Sequence, residues 1–120
     1  MITFIIKTFK RKESCEKLVK SIRKYYDYPI LIANDDKEKF EIDGTTIYNL
    51  AFDVGLSAGR NFLIRQVKTP YFVLLDDDFI FTEETDINKF LELMETTDFD
   101  LIGGVLREKG EIINYEGTYT

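Results

Sequence analysis

Asp76, Asp77 and Asp78 follow directly on the apolar run Tyr71-Phe72-Val73-Leu74-Leu75, and Phe79-Ile80-Phe81 resumes the apolar pattern at once. Adjacent carboxylates repel one another and cost free energy to desolvate. A hard divalent cation relieves both effects, because Mg²⁺, Mn²⁺ and Ca²⁺ prefer oxygen ligands. The plainer alternative is a solvated acidic turn that closes a strand. Thr8 and Phe9 follow an earlier apolar run, and so do Asp35 and Asp36. The segment from Asp53 to Asn61 carries two glycines and Arg60. Phe9 offers a ring on which a base could stack, worth ~1–3 kcal/mol by analogy with other stacked bases, or it packs in the core. Asp35 can accept a hydrogen bond from a base edge or close an Asx turn. Arg60, near a helix start, can meet an anion beside free backbone N–H groups; otherwise it makes a surface ion pair of little worth. Together these groups suit a diphosphate held through a metal. One or two carboxylates bind the ion, and phosphate oxygens and water fill its other positions.

These residues need a scaffold that gathers them. Residues 2–9 read as a first strand, because Ile2, Phe4, Ile5 and Ile6 are apolar and β-prone. Over 13–26, the spacing of Cys15, Leu18, Val19, Ile22, Tyr25 and Tyr26 predicts a helix with a solvated basic face. Strands are expected over 30–33 and 46–50. A helix should run from Ser57, as N-cap, to about Val67, with Phe62, Leu63, Ile64 and Val67 facing the core. The run 71–75 is continuous rather than alternating, so it reads as a strand buried on both faces. A further helix, capped by Thr82 or Thr85, has Ile87, Phe90, Leu91 and Met94 on one face. Strands over 101–106 and from Ile112 complete the pattern, with a turn at Lys109-Gly110 between them.

Alternating strands and helices mean a mostly parallel sheet covered on both faces, with right-handed crossovers. Ligands in such sheets sit beyond the C-terminal strand ends, where strand order reverses. Each polar cluster follows a strand, so parallel packing brings all of them to one edge.

Composition narrows the chemistry. The 120 residues suffice for one domain with one core. A net charge of −6 argues against a nucleic-acid or anionic-membrane surface, which needs a basic face. Histidine is absent, so imidazole is not available as ligand, base or triad member. Cys15 is the sole cysteine and forms no internal disulfide. It fits a reducing compartment, and with no signal-peptide pattern at the start the expectation is a cytoplasmic chain. Gly55 to Gly59 is neither a GxGxxG fingerprint nor a Walker loop.

Four segments carry a resemblance: Ile5-Ile6-Lys7-Thr8-Phe9-Lys10-Arg11, Ile32-Ala33-Asn34-Asp35-Asp36, Gly55-Leu56-Ser57-Ala58-Gly59-Arg60-Asn61 and Leu75-Asp76-Asp77-Asp78-Phe79. In this order and at these separations the chain resembles the nucleotide-sugar-binding half of a GT-A-fold glycosyltransferase of the family 2 type. The last two segments are especially similar to the ganglioside N-acetylgalactosaminyltransferases. The resemblance implies an α/β, three-layer Rossmann-like nucleotide-diphospho-sugar transferase fold, cut short at the C-terminus. It implies a UDP-sugar donor and a carbohydrate or glycolipid acceptor. Asp78 would bind Mn²⁺ or Mg²⁺, and Asp76 would assist the metal or hold the ribose. Asp77 would line the nucleotide-sugar site. Asp35 and Arg60 would contact the base, with Phe9 stacked on it and Thr8 lining the pocket.

In inverting members a later carboxylate acts as base towards the acceptor hydroxyl. Here the late carboxylates are Glu108, Glu111 and Glu116, and nothing singles one out. A non-catalytic nucleotide-sugar-binding module of the same fold is therefore the alternative, and a homodimer across an exposed sheet edge is a further expectation. A receiver-like domain is the remote rival. It wants its acidic pair after the first strand, where this chain has Thr8.

Overall fold

The computed structural model describes residues 2–83, 85–96, 105–108 and 111–114. The chain divides into two compact units, Met1–Thr85 and Asp86–Thr120.

The first unit holds a four-stranded, all-parallel sheet. Its strands are β1 (Ile2–Thr8), β2 (Ile30–Asn34), β3 (Thr46–Asn49) and β4 (Tyr71–Asp76), in the order β3-β2-β1-β4. Helix α1 (Lys12–Arg23) joins β1 to β2, and α2 (Leu56–Gln66) joins β3 to β4. The chain steps outward from β1 through β2 to β3, then returns to place β4 on the other side of β1. Strand order thus reverses at β1, the kind of place where α/β sheets bind ligands.

Every residue of β1 is buried. Its side chains alternate between two layers. Ile5 packs with Ala33 and with Leu63 of α2, and Leu31, Tyr48, Leu50 and Val67 close around them. On the other face the Phe4 ring meets Phe81 edge-on at 5.5 Å and lies 6.2 Å from Tyr26 and 6.1 Å from Tyr28. The Phe81 N–H donates to Ser21 Oγ at 2.9 Å, which ties this layer to α1. Helix α1 buries Cys15, Leu18, Val19 and Ile22 along one stripe, as the helical spacing predicts, but it ends at Arg23, short of Tyr25 and Tyr26, and Tyr25 is 39% exposed.

The doubly buried strand is β1, not the run 71–75. Phe72 and Leu74 remain 37% and 39% exposed. Among the described residues β4 is an edge strand, and α2 packs on β1 and β2. A continuous apolar run does not by itself distinguish a central strand from an edge one.

Helix α2 begins at Leu56 with Gly55 as N-cap, so Ser57 lies inside the first turn and caps nothing. Gly55 has φ +94° and ψ 169°, a region open essentially to glycine alone. The helix turns Gly59 and Leu63, four residues apart, towards the sheet, while Ile64, one step further round, is 38% exposed.

In the second unit α3 spans Ile87–Thr96. Its cap is Asp86, whose Oδ1 accepts the Lys89 N–H at 3.0 Å. Thr82 and Thr85 instead close a turn on each other, with the Thr85 N–H bonded to Thr82 O and the Thr82 N–H to Thr85 Oγ1. A carboxylate immediately before the first helical residue is the better-placed acceptor. Strands β5 (Val105–Glu108) and β6 (Glu111–Asn114) pair antiparallel. The Lys109-Gly110 turn, residues 101–104, Tyr115, Glu116 and the side chains of Phe90, Met94, Glu108 and Glu111 lie outside the described residues. No helix among the described residues is long and apolar enough to cross a membrane.

Candidate functional site

Register decides which layer each polar side chain joins. Lys7 is the cross-strand partner of both Ala33 and Asp76. Lys7, Asp76 and Asp35, two residues beyond Ala33, therefore share the α2 face. Thr8 pairs with Asn34, and Asp77 follows Asp76, so these three share the α1 face.

On the α2 face, Asp35 is 1% exposed and Lys7 8%. Lys7 Nζ donates to Asp35 Oδ1, and the Gly55 N–H donates to Asp35 Oδ2 at 3.1 Å. The Asp53 N–H bonds the Asp35 carbonyl at 2.8 Å. Asp35 thus supplies the anion at the N-terminus of α2. Burial pushes its carboxyl up, but the hydrogen bonds from Lys7 and Gly55 and the ammonium charge outweigh burial and hold it below the usual range. A Cβ on Gly59 would collide with Cδ and Cε of Lys7, so this glycine makes room for the lysine stem. Arg60, next on the helix, reaches Asp76 Oδ1 at 2.7 Å across a half-exposed gap.

On the α1 face, Asp77 is 7% exposed. Thr8 Oγ1 donates to its Oδ2 at 2.9 Å, and Arg11 Nη1 to its Oδ1 at 3.4 Å. Burial pushes the Asp77 carboxyl up; Thr8 and Arg11 oppose that and Asp78 adds to it. Cys15 lies beneath, its thiol pushed up to about 12 by burial and then by the charges of Asp77 and Glu16. It is a packing residue at neutral pH.

Of the acidic triplet, Asp76 and Asp78 present half-exposed side chains, each 53% accessible. Among the described residues Asp78 pairs with Arg11, at 3.9 Å. These are two hard oxygen donors at the open edge. No group of three acidic, cysteine or histidine side chains suited to a metal converges among the described residues. The donor set fits an oxygen-seeking ion that takes most of its ligands from phosphate and water.

The rim is aromatic and basic. Phe9 lies 5.7 Å from Phe52, centroid to centroid, and Phe52 is 49% exposed. Lys10 sits 5.2 Å from the Phe9 ring, and Lys37 sits 4.8 Å from that of Phe52. The residue after each ring, Lys10 and Asp53, has positive φ (59° and 55°), which bends the chain away just past the aromatic.

The structure therefore brings Thr8, Phe9, Asp35, Arg60, Asp76, Asp77 and Asp78 to the carboxyl ends of β1, β2 and β4 and the start of α2. It separates them into two layers. Lys7, Arg11, Phe52 and Gly59 join them and escaped the sequence reading. Lys7 did carry a signal: a charge inside a fully buried strand demands a buried partner.

An all-parallel sheet in this order with its connecting helices is consistent with the Rossmann-like GT-A architecture of nucleotide-diphospho-sugar transferases. The chain belongs to that class by sequence as well: residues 3–118 match Glycosyl transferase family 2. It is 41% identical over 107 residues to mouse beta-1,4 N-acetylgalactosaminyltransferase 2, covering 87% of this chain and 21% of that protein. To mouse beta-1,4 N-acetylgalactosaminyltransferase 1 it is 38% identical over 122 residues, covering 99% and 22%. The human form of the latter is 37% identical over 111 residues, covering 90% and 21%. The chain spans about a fifth of the length of these relatives.

Proposed function

We propose that this glycosyltransferase domain binds a UDP-sugar at the carboxyl edge of its parallel sheet and presents it for transfer to a hydroxyl of a glycan acceptor. The names of the relatives supply the sugar, N-acetylgalactosamine. The observation that carries the reading is the meeting of an aromatic pair (half-buried Phe9 against exposed Phe52), a buried and doubly held Asp35, and two outward carboxylates at one strand edge.

Phe9 and Phe52 offer the base its stacking surface. Asp35, kept ionised by Lys7 and the Gly55 N–H, lies beneath that surface, 1% exposed, and fixes the strand exit and the start of α2 against each other. Arg60 holds Asp76, and Thr8 draws Asp77 inward, so that two carboxylates of the triplet rather than three face outward. Asp78 and Asp76 would hold Mn²⁺ or Mg²⁺, which when bound offsets negative charge gathering on the departing diphosphate. Lys10 and Lys37 add positive potential along the rim.

Incubation of the chain with UDP-N-acetylgalactosamine and Mn²⁺ tests this. Slow release of UDP that stops on chelation is expected. Tight binding without release would assign a donor-binding module instead. Neither binding nor release would remove the proposal's basis.

A further inference from the structure

Both outward carboxylates of the triplet are matched by an arginine. Asp76 Oδ1 accepts from Arg60 at 2.7 Å, and Asp78 Oδ2 lies 3.9 Å from Arg11 Nη1. The Arg11 guanidinium is divided between two acids of different standing. Asp77 is buried and tied down by Thr8 Oγ1, and its Oδ1 accepts from Arg11 Nη1 at 3.4 Å. Asp78 is half exposed and pairs with Arg11 at the longer distance. The Arg11 side chain is itself 58% exposed; the residue stands immediately before α1 and makes no side-chain cap bond there. It also borders a cavity of about 680 Å³, shared with Lys12, Asn34 and Phe40, so the guanidinium has room to leave Asp78.

We propose that Arg11 is a resident counter-ion of the acidic edge. It neutralises Asp78 while no cation is bound, gives Asp78 up to an incoming divalent ion, and turns to the diphosphate that the ion brings. The inference rests on the UDP-sugar reading above. A guanidinium and a dication compete for one carboxylate oxygen, because like charges a few ångströms apart repel. Asp77 supplies the place where Arg11 waits. Drawn inward by Thr8, this carboxylate keeps the guanidinium at the strand edge when Asp78 is taken. From there the planar fork of an arginine suits two phosphate oxygens. Ion and nucleotide then bind cooperatively. The ion alone must displace Arg11, whereas the ion with a diphosphate gives it a new partner, and coupling of this kind is reciprocal.

Mn²⁺ titrations, read from the paramagnetic resonance of the free ion with and without UDP, test this in wild-type chain, Arg11→Met and Lys12→Met. Arg11→Met removes the charge and keeps an apolar stem. Lys12→Met removes the next cation along the chain, whose ammonium lies 5.9 Å from the Phe40 ring. Without UDP, Arg11→Met should bind Mn²⁺ about two- to five-fold more tightly than wild type, the scale of an exposed ion pair taken out of competition. The enhancement that UDP gives to Mn²⁺ binding should fall roughly ten-fold or more in the same variant, the range of a hydrogen bond to a charged group. Lys12→Met should match wild type in both conditions. Three results would each overturn the inference while the UDP reading stands: Mn²⁺ affinity unchanged or weaker in Arg11→Met without UDP, an undiminished enhancement by UDP, or the same pattern in Lys12→Met. A wild-type chain whose Mn²⁺ binding ignores UDP would overturn both. Should melting curves show Arg11→Met unfolded, the Arg11 Nε–H resonance of wild-type chain decides instead. It should shift with Mg²⁺ alone and again with UDP, and a resonance that stays put at either step overturns the inference.

Discussion

Asp35→Ala is expected to lower folding stability by about 3–5 kcal/mol, the usual cost of breaking a buried ion pair by removing one partner. The substitution leaves the Lys7 ammonium inside a strand whose every residue is buried, with the Thr8 carbonyl, at 3.4 Å, as its remaining acceptor among the described residues. It also takes away the acceptor at the start of α2, where Gly55 has no side chain to cap the helix. Urea unfolding measures the loss. The double variant Lys7→Met/Asp35→Leu should recover much of it, because an apolar pair of similar volume replaces a buried ion pair at little net cost. The pH dependence has a definite sign. The folded-state carboxyl of Asp35 lies below its ordinary value of 3.8. Its contribution is therefore fully present above that value and is lost as pH falls through the lower folded-state value. The gap between wild type and Asp35→Ala should stay constant from pH 7 to about 5 and close only in stronger acid. A gap under about 1 kcal/mol at pH 7, the scale of an exposed pair, would show that the pair is not buried.

Asp78→Ala should act oppositely, costing binding rather than folding. Its side chain is half exposed and, among the described residues, pairs with the exposed Arg11 at 3.9 Å. Such a pair contributes little to stability. As a proposed metal ligand, however, it should matter at least as much as the residues that orient ligands, whose loss costs about 10- to 100-fold in metal affinity. UDP affinity in Mn²⁺ should therefore fall at least about ten-fold, while the melting temperature stays put. With chelator present, variant and wild type should bind UDP equally weakly. Calorimetry in both conditions separates the two roles. A variant that keeps its Mn²⁺ enhancement would move the ion away from Asp78.

Much of the site was legible because side-chain period and strand direction are simple rules. Apolar runs ending in polar residues locate strand ends, and parallel pairing puts those ends together. Thus Thr8, Asp35 and Asp76 could be assigned to one edge before any coordinates. What the pattern could not supply was the layer each residue joins, because that depends on inter-strand register. Asp76, Asp77 and Asp78 read as one acidic cluster, yet Asp77 turns to the opposite face and bonds Thr8. The same limit affected the fold. Tyr71–Leu75 and Ile2–Ile6 look equally apolar, and only the strand order makes β1 central and β4 an edge. Helix starts were misread where tertiary contacts supply the cap. Ser57 looked like an N-cap by type, but Asp35, twenty residues before Gly55, accepts the N–H there. Lys7 was given no role because its charge demands a partner only once β1 is known to be buried along its whole length, and the strand order shows that.

The central claim is that a cation-bound diphosphate occupies the carboxyl edge of the sheet. Manganese tests it directly, since the ion is paramagnetic and broadens nearby amide resonances. An assigned amide spectrum recorded with UDP and substoichiometric Mn²⁺, against a Mg²⁺ reference, should lose the signals of Phe9, Lys10, Asp77 and Phe79. Those of Thr3, Thr45 and Thr69, at the opposite strand ends, should keep full intensity. Broadening centred on Thr3 and Thr69, or none that depends on UDP, would contradict the account.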